Sequence, residues 1–330
     1  MTVAKAMARF LETCCGAAFV LLASAGLARA QDTYLVLVTG LGGEESYRIS
    51  FHSWASALQA AAEKTFGIPR VHITYLGERP ERDPSRIDGK ATREEIARAL
   101  GRIATKCRPG DTVAIVLFGH GSGSGDQSRL GLPGPDATAR DFATWLVPFG
   151  LQHVVLVNAA SASGDFQKSL AGKNRIVVTS TKSSEERNES VFGRYFSEAL
   201  SSEVADADKN GRISIMEAFE AAKAQVATEY QKERRLLTEH AVLEDGAGGA
   251  VARSTFLGGR SKDLASTVET DPALLALEQE RRDLEDRVEA LKTTKTALPP
   301  ERYEIELERL LLDLAMKTEE LRKKRGSPKP

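Results

Sequence analysis

Cysteine is scarce in this chain of 330 residues, which has only Cys14, Cys15 and Cys107. Cys14 and Cys15 fall within an N-terminal leader, described below. Once that leader is removed, Cys107 has no intramolecular partner, so no disulfide holds the fold and an apolar core must suffice. Charge of one sign is also missing: 45 basic residues stand against 46 acidic ones, a net charge of −1. No basic stripe marks the chain for nucleic acid. The longest apolar run, Ala17 to Leu27, falls short of the roughly 20 residues that span a bilayer. Gly40-Leu-Gly-Gly-Glu-Glu45 breaks the G-x-G-x-x-G dinucleotide fingerprint at its sixth position. No G-x-S-x-G nucleophile elbow surrounds Ser161.

The N-terminus carries Lys5 and Arg9, then the short apolar run, then Ala28-Arg29-Ala30. This is the layout of a secretory signal peptide over residues 1–30, with a mature chain from Gln31. It predicts an exported protein, periplasmic or extracellular, without a membrane span after cleavage. Cys14 and Cys15 precede the apolar run, which argues against a lipoprotein anchor. The mature chain keeps 42 basic and 45 acidic residues.

Beyond the leader, apolar strand patterns alternate with helical ones. Thr33 to Thr39, Val71 to Leu76, Val113 to Phe118, the stretch from His153 and Arg175 to Thr181 read as five strands. Their continuous Val/Ile/Leu runs suit strands buried on both faces of a parallel sheet. Helical periodicity fills Tyr47 to Phe66, Thr92 to Ile103, Asp136 to Val147, Val191 to Ser201 and Ile215 to Lys232. Thr92 and Glu95 are spaced as a capping box. Strands alternating with helices imply parallel pairing through right-handed crossovers. The expected fold class is α/β, a three-layer α-β-α sandwich with a mainly parallel sheet.

In such sheets ligands gather at the carboxyl ends of the strands. One strand there runs into Gly119-His120-Gly121, and the next into Ala159-Ala-Ser161-Ala-Ser163-Gly164. A His and a nucleophile-type residue on adjacent strand ends form a candidate dyad, His120 with Ser161. The amides of Gly121 to Gly125 could serve as an oxyanion hole.

These two motifs, in this order and frame, resemble the His-Gly and Cys motifs of the legumain/caspase-like cysteine peptidases. The resemblance spans roughly residues 34–230. It implies a caspase-like fold, with His120 and Ser161 at the dyad positions and Arg48 and Gly121 at substrate-binding positions. It also exposes three departures. Ser161 stands where the family has its cysteine, Gly42 where it has an asparagine that orients the histidine, and Ala159 where it has an acid. A serine hydroxyl, unlike a thiol, needs a well-held base. The resemblance therefore implies a homologue without peptidase activity that binds a peptide or protein. The alternative is an active hydrolase using the His120/Ser161 dyad. His240 lies in a Gly-rich stretch and is open as a third active-site group or a solvated loop histidine.

Asp206-Ala-Asp-Lys-Asn-Gly-Arg-Ile-Ser-Ile-Met-Glu217 fits the twelve-residue EF-hand loop. Asp206, Asp208 and Asn210 offer side-chain oxygens and Arg212 its carbonyl. Ser214 serves directly or through water, and Glu217 closes the site with two oxygens. The expectation is one structural Ca2+, with no second loop to make a sensor.

The domain is expected to end near residue 235, followed by a Gly-rich connector over 236–270. From residue 271 the composition shifts to Leu, Glu, Arg and Lys. Leu277, Leu284, Val288 and Leu291, then Tyr303, Leu307, Leu310, Leu314 and Leu321, keep a 3–4 spacing around Pro299-Pro300. This predicts an antiparallel helical hairpin or coiled coil over 271–322, a surface for a partner. A basic tail follows over 323–330.

Overall fold

A computed structural model describes residues 31–258, single helical positions between 277 and 291, and residues 299–326. The expected leader over 1–30 lies outside the described residues, as do residues 259–270 of the connector and the last four residues.

Four strands form the centre: β1 (Thr33–Thr39), β2 (Ile73–Gly77), β4 (Thr112–Phe118) and β8 (His153–Asn158). All seven residues of β1 and of β4 are buried, as their unbroken apolar runs require. The short β3 (Gly89–Lys90), β9 (Arg175–Thr179) and β10 (Val242–Glu244) complete a seven-stranded sheet in the order β10-β9-β8-β4-β1-β2-β3. Every pairing is parallel except that of β10 with β9.

Alternate residues of each strand feed two separate cores. Leu35, Leu37, Ala114, Val116, Val155 and Val157 pack under α1 (Glu45–Lys64), α5 (Phe192–Leu200) and α6 (Ile215–Lys232). Val36, Val38, Ile115, Leu117, Val154 and Leu156 pack under α2 (Arg93–Ala104), α3 (Ala139–Trp145) and α4 (Phe166–Leu170). The three-layer α/β/α sandwich read from the sequence is the observed fold.

Local signals shift some boundaries. The helix expected over 136–147 is confined to 139–145, because Thr138 caps it in a full box with Asp141. At α2, Thr92 accepts the Glu95 N–H but only this half of the expected box forms. The glycine loop after β4 is partly a strand: β5 (Gly121–Ser122) joins β6 (Arg129–Leu130) and β7 (Ala137–Thr138) in a small antiparallel sheet. The domain also runs past 235. Beyond β10 lies α7 (Ala250–Ser254), and Ala241, Ala252 and Leu257 belong to the core. That stretch of glycines hides an edge strand of three residues, too short to show an alternation.

A long C-terminal helix, α8 (Pro300–Gly326), is present where the hairpin is expected. α8 runs back along the helical positions before it, with Leu277 packed on Leu321 and Lys317 Nζ 2.6 Å from Glu280. Among the described residues no helix is long and apolar enough to cross a membrane.

Candidate functional site

Parallel pairing brings the carboxyl ends of β1, β4, β8 and β9 to one edge. Thr39 is level with Phe118, Leu117 with Asn158, and Asn158 with Thr179. His120 and Ser161 therefore leave adjacent strands side by side. The approach is close: a Cβ on Gly121 would lie 2.2 Å from the Ser161 carbonyl oxygen, so only glycine fits. The Gly121 N–H donates to Ser161 Oγ at 3.3 Å.

His120 does not complete the dyad. Its imidazole sits edge-on to Tyr47 and Phe51, with ring centres 4.8 and 5.3 Å away. These two aromatics are an i, i+4 pair on the first turns of α1, where they share one face. Among the described residues no hydrogen bond to the His120 ring is formed. The Tyr47 hydroxyl donates to Glu189 at 3.3 Å; burial, and then the Glu189 charge, push its pKa up.

Ser161 is buried, at 4% exposure, in a loop fixed by hydroxyl groups. Ser180 Oγ donates to the Ala160 carbonyl at 2.6 Å, and Ser128 Oγ to that of Ala162 at 3.1 Å. Ser163 Oγ lies 3.1 Å from Ser180 Oγ and 3.2 Å from Thr181 Oγ1. The amides expected to form an oxyanion hole are partly spent. Gly121 N–H faces Ser161 Oγ, and Gly125 N–H donates to Asp165 at 2.8 Å.

The other two departures are built into the packing. A Cβ on Gly42 would lie 2.5 Å from Arg48 Cγ and 2.7 Å from Arg48 N. Ala159 is buried in the apolar core against Phe118 and α5, where a Cβ on Gly193 would come 2.9 Å from the Ala159 Cβ. Neither an asparagine at 42 nor an acid at 159 has room.

Arg48 follows Tyr47 in the first turn of α1 and packs against the loop after β1. Its Nε donates to Glu78 at 2.9 Å, and its other nitrogens reach Glu45 and the Gly43 carbonyl. The Glu78 hydrogen bond, with the neighbouring carboxylate charges, raises its pKa further. Its fork is thus committed to the protein. It lines a small cavity of about 110 Å³ with Phe51, His52 and Tyr75.

Two groups near the site were not legible as partners. His240 Nδ1 is 2.6 Å from Glu186, whose carboxylate also accepts the His240 N–H. The Glu186 carbonyl accepts from Ala162 N at 2.8 Å, directly beside Ser161. Burial pushes the Glu186 pKa up, but the Lys182 amide and His240 outweigh it and hold the carboxyl below its usual range. Glu239 is buried and accepts from the Val191 and Phe192 amides at the start of α5; burial raises its pKa. Partners 54 and 47 positions apart leave no local pattern.

The Asp206 to Glu217 loop forms a tight acidic turn. Asp206, Asp208 and Glu217 each place a carboxylate oxygen within 4.8 Å of the others. Asp206 accepts from Asn210 N and Gly211 N at 3.0 and 2.8 Å, and Gly211 takes φ +81°. Ser214 caps α6 with Glu217 in a full capping box. Arg212 stacks over Phe256, 3.9 Å from its ring centre. Burial, then the Glu217 charge, raises the Asp208 pKa. Three carboxylates at this spacing suit a hard divalent cation. A cleft of about 650 Å³ opens beside the loop, lined by Phe66, Leu200, Phe256 and Arg281.

No family model matches the chain, and no curated protein matches it. Solved structures do. Protein GSU0716 from Geobacter sulfurreducens is similar at 13% identity and a TM-score of 0.43, over 64% of this chain and 92% of that one. Pro-sf-caspase-1 is similar at 10% identity and a TM-score of 0.41, over 66% of this chain and 93% of that one. All are likenesses of fold.

Proposed function

We propose that this chain is an exported caspase/legumain-like domain without peptidase activity, which binds a peptide or protein and carries a structural calcium ion. One observation carries the first part: the Gly121 N–H is donated to Ser161 Oγ while the His120 ring is clasped by Tyr47 and Phe51. A serine nucleophile needs a base to take its proton and free amides to hold the oxyanion. Here the base has no orienting partner among the described residues, and an amide the oxyanion would need is bonded to the nucleophile itself. The crowding at Gly42 and Ala159 supports the same reading, since the family's missing groups cannot simply be put back.

A strand-end cleft freed from catalysis keeps its binding surface. Tyr47 and His120 meet edge to face at the strand ends with Phe51 behind them, and Glu189 accepts from the Tyr47 hydroxyl. The hairpin at the C-terminus supplies a second surface for partners. In the calcium loop, Asp206, Asp208, Asn210, Ser214 and Glu217 would hold the ion with the Arg212 carbonyl, screening the carboxylates and fixing the turn into α6.

The test is a fluorogenic peptide library at neutral pH in millimolar calcium, read against a Ser161→Ala variant. The expected result is equal, background release from both. Turnover by the wild type that Ser161→Ala abolishes would establish the alternative, a serine hydrolase.

A further inference from the structure

The hairpin buries one face of α8 and leaves the opposite face apolar. Tyr303, Leu310 and Leu321 are 8% exposed or less. Ile305, Leu312 and Met316 are 68%, 59% and 70% exposed. Intervals of seven and four residues put these three on one line of the helix. At 100° per residue that line lies roughly opposite Leu310. Leu311, 47% exposed, widens it. Solvated helices ordinarily carry polar residues here.

The helix is also polarised by charge. Residues 300–313 hold five acids against two arginines, and residues 314–326 hold five basic residues against two glutamates. A parallel neighbour of the same sequence would set like charge beside like. An antiparallel neighbour sets the acidic half of each helix against the basic half of the other, and opposes the two helix dipoles. The occupant that fits this face is therefore a second copy of the same helix.

We propose that two copies of this chain associate through the outward face of α8, antiparallel and related by a two-fold axis level with Leu311. In that register Arg302 meets Glu320 of the second copy, Arg309 meets Asp313, and Ile305 falls within one residue of Met316. Such a contact is isologous and closes on itself, so it gives a dimer and not a filament. Two strand-end clefts are then joined in one particle, whatever the chemical state of Ser161.

The experiment is light scattering on the full chain with concentration varied up to about 100 µM, checked by sedimentation. The wild type should show twice the 35.7 kDa chain mass, less any cleaved leader. Leu312→Glu with Met316→Glu should return it to a monomer with unchanged helix content. If that double variant unfolds, Arg302→Glu serves instead: it should weaken association tenfold or more, and Glu320→Arg added to it should restore dimerisation. Direction is read in a Cys107→Ser background. Ile305→Cys mixed with Met316→Cys should cross-link under mild oxidation, and Ile305→Cys alone should not. A monomeric wild type at the highest concentration, an unaffected double variant, or cross-linking of Ile305→Cys to itself would each overturn the proposal.

Discussion

At Ser161 the surroundings, more than the side chain itself, set what chemistry is open. Restoring the thiol with Ser161→Cys leaves His120 between Tyr47 and Phe51 and leaves Gly121 N–H aimed at the same side chain. The variant should therefore cleave no peptide of the library; efficient turnover would show that only the nucleophile is missing. Attempts to complete the site should cost stability. Gly42→Asn drives a Cβ into Arg48, an overpacking worth about 1–3 kcal/mol. Ala159→Glu buries an unpaired carboxyl in the core and should cost about 3 kcal/mol or more. Both are read from urea midpoints. Glu186 adds a pH effect of defined sign. Its pKa is held below the ordinary 4.5, so its contribution is complete above about pH 4.5 and is lost as pH falls through the lowered value. Glu186→Gln should flatten the acid side of the stability profile below pH 4.5 and leave neutral pH dependence alone.

At the scale of elements, legibility follows from how local the cause is. β1, β4 and β8 were legible because strands buried on both faces leave unbroken apolar runs, and α6 because Ser214 and Glu217 sit next to the residues they cap. β10 was not, because its ladder partner is β9, 63 or more positions earlier. The β5–β7 sheet was missed because glycines read as a loop when they are really thinned for the close pass of Ser161. His120 and Ser161 could be placed together, since parallel register fixes which strand ends meet. What each side chain bonds to could not, since Tyr47, Glu186 and Asp165 arrive from other elements. The proposed calcium loop is the element whose test is simplest. Bound ion stabilises by RT ln(1 + [L]/Kd), about 1.4 kcal/mol at ten times Kd, which moves a domain of this size by a few degrees at most. The Asp208 pKa is raised by burial and by Glu217. In the absence of calcium, acidification through that value therefore relieves the loop as calcium does at neutral pH. The calcium shift in Tm should thus be largest near pH 7, shrink toward pH 4, and vanish in Glu217→Gln. Equal melting curves in calcium and in chelator would reduce the loop to a capped turn.

At the scale of the whole molecule, burial divides the chain. The two cores that sandwich the sheet draw on residues up to Leu257, and among the described residues nothing beyond it joins them. Leu277 and Leu321 instead form a cluster of their own. The apolar seam of the hairpin is thus satisfied within the hairpin, and its removal should expose little of the sandwich. A chain ended at Ser266 keeps β10, α7 and the Arg212–Phe256 stack, so it should fold and melt cooperatively within about 1 kcal/mol of the full chain, the scale of surface changes away from a core. It should also run as a monomer, because α8 and its outward face are gone. The two readouts separate the two ideas. Failure to fold would mean that the hairpin completes the sandwich, through the cleft that Arg281 shares with the 206–213 loop. A folded dimer would leave the hairpin independent of the core but move the contact between copies to the sandwich itself, where the open edge of β10 is the first place to look.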